Sequence, residues 1–331
     1  MKNDKDDRGG LVKAGDLSLL KQIVKATKPP SPTQLRLIEA AADIRAGASE
    51  DISYQHTVLC QTGLPYRNTE ARRWERKNGR VTLNIEAGSA YHPEQETFVD
   101  LPLPFGPKAR LILIHLNSEA IRTQSPVIEV EDSMTSFVKL LQNGRDPTGP
   151  EIRKFKSQLS SLSVATIRMA MTVEKTEEGQ RTKQINTNIV RSLDVWFPKN
   201  PSQRVLWPTT VELSREYFET LVNHAVPLDQ RAVAAMAHSA MALDIYAWLA
   251  QRLCRVPSGS DALVPWTSLH QQFGHGYTKR IRKFREVFLY TLNRTVLPEY
   301  PQARLHSTGQ GLILKPSAPP ISRQIATRRR T

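Results

Sequence analysis

The chain has 331 residues, with 46 Lys and Arg against 32 Asp and Glu, a formal net charge of +14. That length suits about two domains, and no apolar run approaches the roughly 18 residues of a membrane span. Cys60 and Cys254 are too few for a disulfide framework or a cysteine zinc cluster, so a reducing cytosol is expected.

The N-terminus, MKNDKDDRGG, lacks the apolar stretch of a signal peptide. LSLLKQIVKA (17–26) reads as a short amphipathic helix, TKPPSPT (27–33) as a break, and Gln34 to Ala46 as a second helix. Residues 66–80 (YRNTEARRWERKNGR) gather charge around one Trp, and residues 53–92 hold a strand or two, including VTLNIEAG. The composition predicts a partly disordered N-terminal extension over 1–95, of marginal order, that makes contacts rather than core.

From Thr97 the pattern sharpens. TFVDLPLP reads as a strand ended by prolines. FGPKARLILIHLNSEAIRT is a helix with Pro107 in its first turn, and VIEVE a strand. SMTSFVKLL is a short helix capped by Asp132 or Ser133, and EIRKFKSQLSSL a further helix after Pro150. VATIRMAMTVE (164–174) and INTNIVRSLDVWF (185–197) form a hairpin with the charged tip KTEEGQRTKQ. The order is helix, strand, helix, helix, hairpin, which is that of a winged helix, and it repeats. TTVELS (209–214) is a strand and SREYFETLVNH a helix; Asp229 caps one long helix, DQRAVAAMAHSAMALDIYAWLAQRL, stopped by Pro257 and Gly259. ALVPW, TSLHQQF, the helix 278–296 and the hairpin ARLHST/GLILKPS follow.

The fold class read from this order is α+β, helix-rich: two tandem winged-helix domains over 96–203 and 204–320. The chain closes with a disordered basic tail over 321–331 that holds Arg323, Arg328, Arg329 and Arg330.

The basic excess points to a polyanion, nucleic acid first; a merely soluble basic protein is the alternative, and the placement of the charge decides. In the helix from Thr278, a repeat of 100° per residue gathers Ile281, Phe284, Phe288 and Leu292 on one face, with Lys279, Arg282 and Lys283 opposite and Arg280 on the flank. A helix in this place before a hairpin enters the major groove in helix-turn-helix proteins; an ordinary solvated basic face is the other reading. The first unit's counterpart buries Ile152, Phe155, Leu159 and Leu162 and turns Arg153, Lys154 and Ser157 outward, with Ser160 and Ser161 near that side. Lys175, Arg181 and Lys183 on the first wing and Arg304 on the second are candidates for backbone contact.

Searches for chemistry return little. GxxxxGK[ST], GxGxxG after a strand, and HExxH are all missing from the sequence. His270 and His275 share a loop-rich segment with no acidic pair beside them, and His224 and His238 stand singly. Tyr290 is a tyrosine without the His-hydrophobe-His metal motif that a nicking initiator of the rolling-circle class needs. No catalytic residue, metal or cofactor is expected. Asp244 and Arg252 are the charged exceptions in the long Ala-rich helix, each able to pair with a neighbour.

LPLPFGPKARLILIH, SEAIRTQSPVIEV, DSMTSFVKLLQ, ALDIYAWLAQRL, FGHGYTKRIRKFREVF and YPQARLHSTGQGLILKPSAPP keep one order over about residues 97–322. Together they resemble the RepA-type plasmid replication initiators. NGRDPTGP after Leu141 and Gln142 departs from the family's Gly-rich turn. The resemblance implies a cytoplasmic protein that binds repeated double-stranded sites (iterons) in a plasmid origin. It implies opening of the adjacent AT-rich duplex and recruitment of the host initiator and replicative helicase; initiators of this kind often repress their own promoter as homodimers and initiate as monomers. A winged-helix transcriptional regulator and a metal-dependent origin nickase are the alternatives.

Overall fold

The computed structural model describes residues 29–47, 51–92, 95–129, 133–142, 144–176, 179–193, 210–277 and 280–322, with the backbone alone over 173–188 and 192–193. Helix α1 (Pro32–Ala46) opens on a capping box. The Gln34 N–H donates to the Ser31 hydroxyl, and the Ser31 N–H to the Gln34 side chain. Strand β1 (Ile52–His56) runs into the short α2 (Thr57–Gln61), whose Val58 N–H donates to His56 Nδ1. Strands β2 (Arg73–Asn78) and β3 (Val81–Glu86) form a hairpin that turns at Gly79, where φ is +57°, a region that glycine enters without steric cost. A second hairpin pairs β4 (Ser89–His92) with β5 (Thr97–Asp100).

Helix α3 (Gly106–Thr123) carries Pro107 in its first turn and buries Ile112, Leu113, Leu116 and Ala120 on more than one side, which makes it central. After β6 (Val127–Glu129), the Ser133 hydroxyl accepts from the Ser136 N–H and starts α4 (Met134–Leu141). Glu151 accepts from the Thr148 N–H at the start of α5 (Gly149–Val164). Then come β7 (Thr166–Thr176), β8 (Gly179–Asn188), β9 (Val190–Leu193) and β10 (Thr210–Leu213). Helix α6 (Arg215–His224), β11 (Ala225–Asp229), α7 (Gln230–Ala235) and α8 (Ala240–Leu253) follow. The last stretch holds β12 (Ala262–Pro265), α9 (Trp266–Phe273), a tight turn His275–Tyr277 and α10 (Ile281–Thr291). A wider turn, Leu292–Val296, extends α10 before β13 (Leu305–Ser307) and β14 (Gly311–Leu314).

The mixed α+β class stands. Both halves run helix, strand, helix, helix, hairpin: α3, β6, α4, α5, β7, β8, and then α8, β12, α9, α10, β13, β14. In the second half the first strand closes on the last, in the order β12-β14-β13. In the first half β6 pairs instead with β10, in the order β6-β10-β9. TTVELS therefore completes the first half's sheet rather than opening the second.

Within residues 51–92, Tyr54, Val58, Leu59, Leu64, Val81, Leu83 and Ile85 belong to the core, which corrects the expectation of an extension that makes contacts rather than core. Strand β3 sits inside a four-stranded antiparallel sheet, β2-β3-β7-β8, and its Val81, Leu83 and Ile85 are buried. Strand β1 pairs with β11 in the register Ile52↔Asp229 to His56↔Ala225. One continuous apolar cluster runs from Leu37 through Leu83, Ile112 and Leu249 to Leu314. Helix α1 packs on α7, where Arg231 donates to the carbonyls of Asp43 and Gly47.

Two further expectations change. The long helix from Asp229 is broken between α7 and α8, because the Ser239 hydroxyl accepts from the Ala242 N–H and caps a new start. Asp229 does cap α7. The charged tip KTEEGQRTKQ is mostly strand, with Glu174 opposite Arg181, Lys175 opposite Gln180 and Thr176 opposite Gly179. The helix expected at 17–26 and the tail from residue 323 lie outside the described residues.

Candidate nucleic-acid interface

Helix α10 is built on Phe284 and Phe288, both buried, and on Leu292 in the turn beyond it. Phe288 packs edge-on to Trp266 of α9, and Phe284 edge-on to His270. The opposite side is open: Arg280 is exposed, and the side chains of Arg282 and Lys283 are 95 % and 59 % accessible. Ile281, placed by periodicity on the buried face, is instead 44 % exposed, because the helix begins at that residue and has no preceding turn for its side chain to lie over. Thr278 and Lys279 lie outside the described residues.

Sequence reasoning overlooked Glu286, one turn along. Its carboxylate meets Arg282 Nε at 3.7 Å and Lys283 Nζ at 3.1 Å. Exposed helical pairs of this kind are worth about 0.3–0.5 kcal/mol, so a phosphate can replace the partner at little cost. The spacing from Arg282 to Glu286, i to i+4, was the available signal.

Helix α5 buries Phe155, Leu159 and Leu162 and exposes Arg153, Lys154 and Ser157, as its periodicity implies, while Ile152, expected on the same stripe, is half-buried. Ser161 is turned inward instead. Lys108 of α3 lies with Nζ 4.7 Å from the Phe155 ring centre, and burial holds its ammonium below the usual lysine range, against the pull of Glu151. Arg36, Arg145 and Lys154 stand near enough to Lys108 to push in the same direction. Arg145 also pairs with Glu151, which that hydrogen bond draws down to about 2. The cationic patch thus includes Arg36, Lys108 and Arg145, whose separation along the sequence hid them.

Of the wing candidates, Lys175 and Arg181 stand beside the β7–β8 turn, and the other two fall elsewhere than expected. Lys183 belongs to β8 opposite Met171, well inside the strand rather than at a tip. Arg304 is exposed but lies at the open end of the β13–β14 hairpin, away from its Thr308–Gln310 turn. There its N–H donates to the Ser317 hydroxyl and its carbonyl accepts from the Lys315 N–H.

Both cationic helices rest on the first two turns of α3. For α5 the link is direct: the Phe105 N–H donates to Gln158 Oε1 at 2.7 Å. For α10 it runs through the segment Gly63–Tyr66. Arg110 of α3 donates to the Leu64 carbonyl at 2.7 Å and binds Asp244 of α8 with two hydrogen bonds, at 2.6 and 2.7 Å. Burial raises the Asp244 carboxyl above its usual value, opposed by Arg110. The Tyr66 N–H then donates to His275 Nε2 at 2.9 Å, five residues before Arg280. Among the described residues no group of three or more His, Cys, Asp or Glu could hold a metal, and no helix is long and apolar enough to cross a membrane.

Residues 103–267 match the model of the family described as plasmid encoded RepA protein. Over that stretch the chain belongs to the plasmid-encoded RepA family. The match takes in α3 through β12 and includes α5; α10 and the β13–β14 hairpin lie beyond it. The chain is similar in fold to domain 2 and domain 3 of RctB in a crystal structure of their selenomethionine derivatives. The TM-score is 0.50 at 10 % identity, covering 78 % of this chain and 97 % of that one. A second crystal structure of the RctB domains 2-3 gives a TM-score of 0.46 at 10 % identity, covering 78 % and 94 %. No curated protein matches the chain.

Proposed function

We propose that this RepA-family chain is a plasmid replication initiator that binds repeated duplex sites in its origin through two winged-helix units. In this reading it works by binding rather than by catalysis. It opens the neighbouring duplex and brings host replication proteins to it from the bacterial cytoplasm. The observation that carries the reading is α10: buried Phe284 and Phe288 fix one face while Arg282 and Lys283 stand in solvent on the other. The strand order β12-β14-β13 around it is the order of a winged helix, with α10 in the place of the groove-reading helix. Arg153 and Lys154 on α5, joined by Arg36 and Lys108, supply the second contact. Phosphate neutralisation by these groups supplies most of the affinity and makes it steeply salt-dependent.

The test is a gel-shift titration on duplex from the plasmid's own origin. Replacing Arg282→Ala and Lys283→Ala together removes specific binding while the thermal melt stays where it was. Any residual binding has a salt slope shallower by about one for each lost phosphate contact. Equal affinity and equal slope in the double variant would overturn the reading.

A further inference from the structure

We propose that Tyr66, Trp74 and His275 form a joint that fixes the separation of α5 and α10, so that the chain discriminates between duplexes by the spacing of their two half-sites. The inference rests on the DNA-binding reading above and adds to it a determinant of specificity that touches no DNA.

The joint is small and well defined. The His275 ring stacks on Tyr66 with centroids 4.9 Å apart at 27°, and Trp74 meets its edge at 4.6 Å and 79°. Trp74 Nε1 donates to the Gly63 carbonyl at 2.8 Å, and the Arg76 guanidinium covers the Trp74 ring at 4.0 Å. Gln272 adds a bond from Nε2 to the Gln61 carbonyl at 2.8 Å. On one side of this cluster lies the segment Gly63–Tyr66, held to α3 and α8 by Arg110 and Asp244. On the other lies the turn His275–Tyr277, whose Tyr277 carbonyl accepts from the Arg280 N–H at 2.8 Å and so sets the start of α10.

The imidazole must be neutral to accept at Nε2. Burial, with Arg76 and Arg110 close by, holds His275 down at about 4, so the acceptor is in place at any physiological pH. Gly63 completes the joint, since a Cβ there would come within 2.5 Å of Asp244 Oδ2.

A rigid joint has a readable consequence on DNA. Successive base pairs rotate the groove by about 34°, given roughly 10.5 base pairs per turn. Two helices held at one separation can engage two half-sites only in one phase, and tethering strengthens binding only when both fit. His275 is therefore a positioning residue.

The experiment uses duplexes selected by the full chain from a random library, then lengthened at their centres by about one to five base pairs. The natural chain loses about thirtyfold in affinity on a two-base-pair insertion, and His275→Ala about threefold, with the unmodified duplex bound within about threefold of the natural chain. His275→Gln, which restores an acceptor, recovers part of the discrimination. Trp74→Phe, which keeps an aromatic ring but loses the bond to Gly63 and part of the packing on His275 and Arg76, relaxes spacing from the other side and serves if His275→Ala does not fold. Identical insertion profiles for the natural chain and the folded variants would overturn the joint while leaving DNA binding intact. Failure of the natural chain to select any duplex would overturn both.

Discussion

Arg110 and Asp244 bring opposite charges to a place with almost no water: their side chains are 4 % and 11 % accessible. Removing one of two such charges leaves the other buried and unpaired, which costs about 3–5 kcal/mol, whereas removing both costs much less than twice that. The pair is also anchored to the carbonyls of Leu64, Pro65 and Gly106. Arg110→Leu alone is expected to lower the denaturant midpoint sharply, and adding Asp244→Leu to restore part of the loss. A double variant no more stable than Arg110→Leu would show that the carbonyl bonds, and not the ion pair, carry the cost. Only half of this was legible beforehand. Asp244 stood out as a charge in an apolar helix, but its partner lies 134 positions away, and no local pattern links the two.

At the scale of elements, periodicity identified what repeats and missed what pairs at long range. The faces of α5 and the Phe284/Phe288 face of α10 follow from 3.6-residue spacing, and Pro107 and Ser133 mark their helix starts as their chemistry requires. Strand β2 alternates exposed and half-buried residues, so its Arg and Lys dominated the composition and concealed its place in a sheet. Its neighbour β3 shows the cost of that oversight, since it lies between β2 and β7 with Leu83 and Ile85 inaccessible to water. Deleting residues 1–95 would expose the β7 edge and the apolar face of α3. Such a fragment is expected to be insoluble or to lack the chemical-shift dispersion of a folded protein. A soluble, dispersed fragment would return these residues to the role of an accessory extension.

For the molecule as a whole, buried titratable groups set opposing limits on pH. Burial, aided by His224, lowers His56 to about 3, and burial with Arg122 lowers His115 to about 4. Their unfolded imidazoles take up protons below about 6.5, so this stability is complete above that pH and drains as acid is added. Glu299 behaves in the opposite sense. Its oxygens have no hydrogen-bond partner among the described residues, and burial raises it to about 9 despite nearby Arg45. The unfolded carboxyl ionises above about 4.3, so this contribution is complete in acid and falls as pH rises toward 9. Glu299→Gln is expected to raise the melting temperature at pH about 8 by about 2–8 °C and to leave it nearly unchanged near pH 5. An equal shift at both values would mean that packing rather than ionisation governs the site.

The pairing of β1 with β11 joins positions 52–56 to 225–229. A ribosome must therefore deliver most of the polypeptide before the early strand finds its companion. Until then its hydrogen-bonding edge and apolar side are open to any bystander, and closure waits on a long loop. The supply of folded protein is accordingly tied to completion of translation and to whatever shields the nascent chain, so premature termination before residue 225 yields material prone to clump rather than a shortened but folded chain.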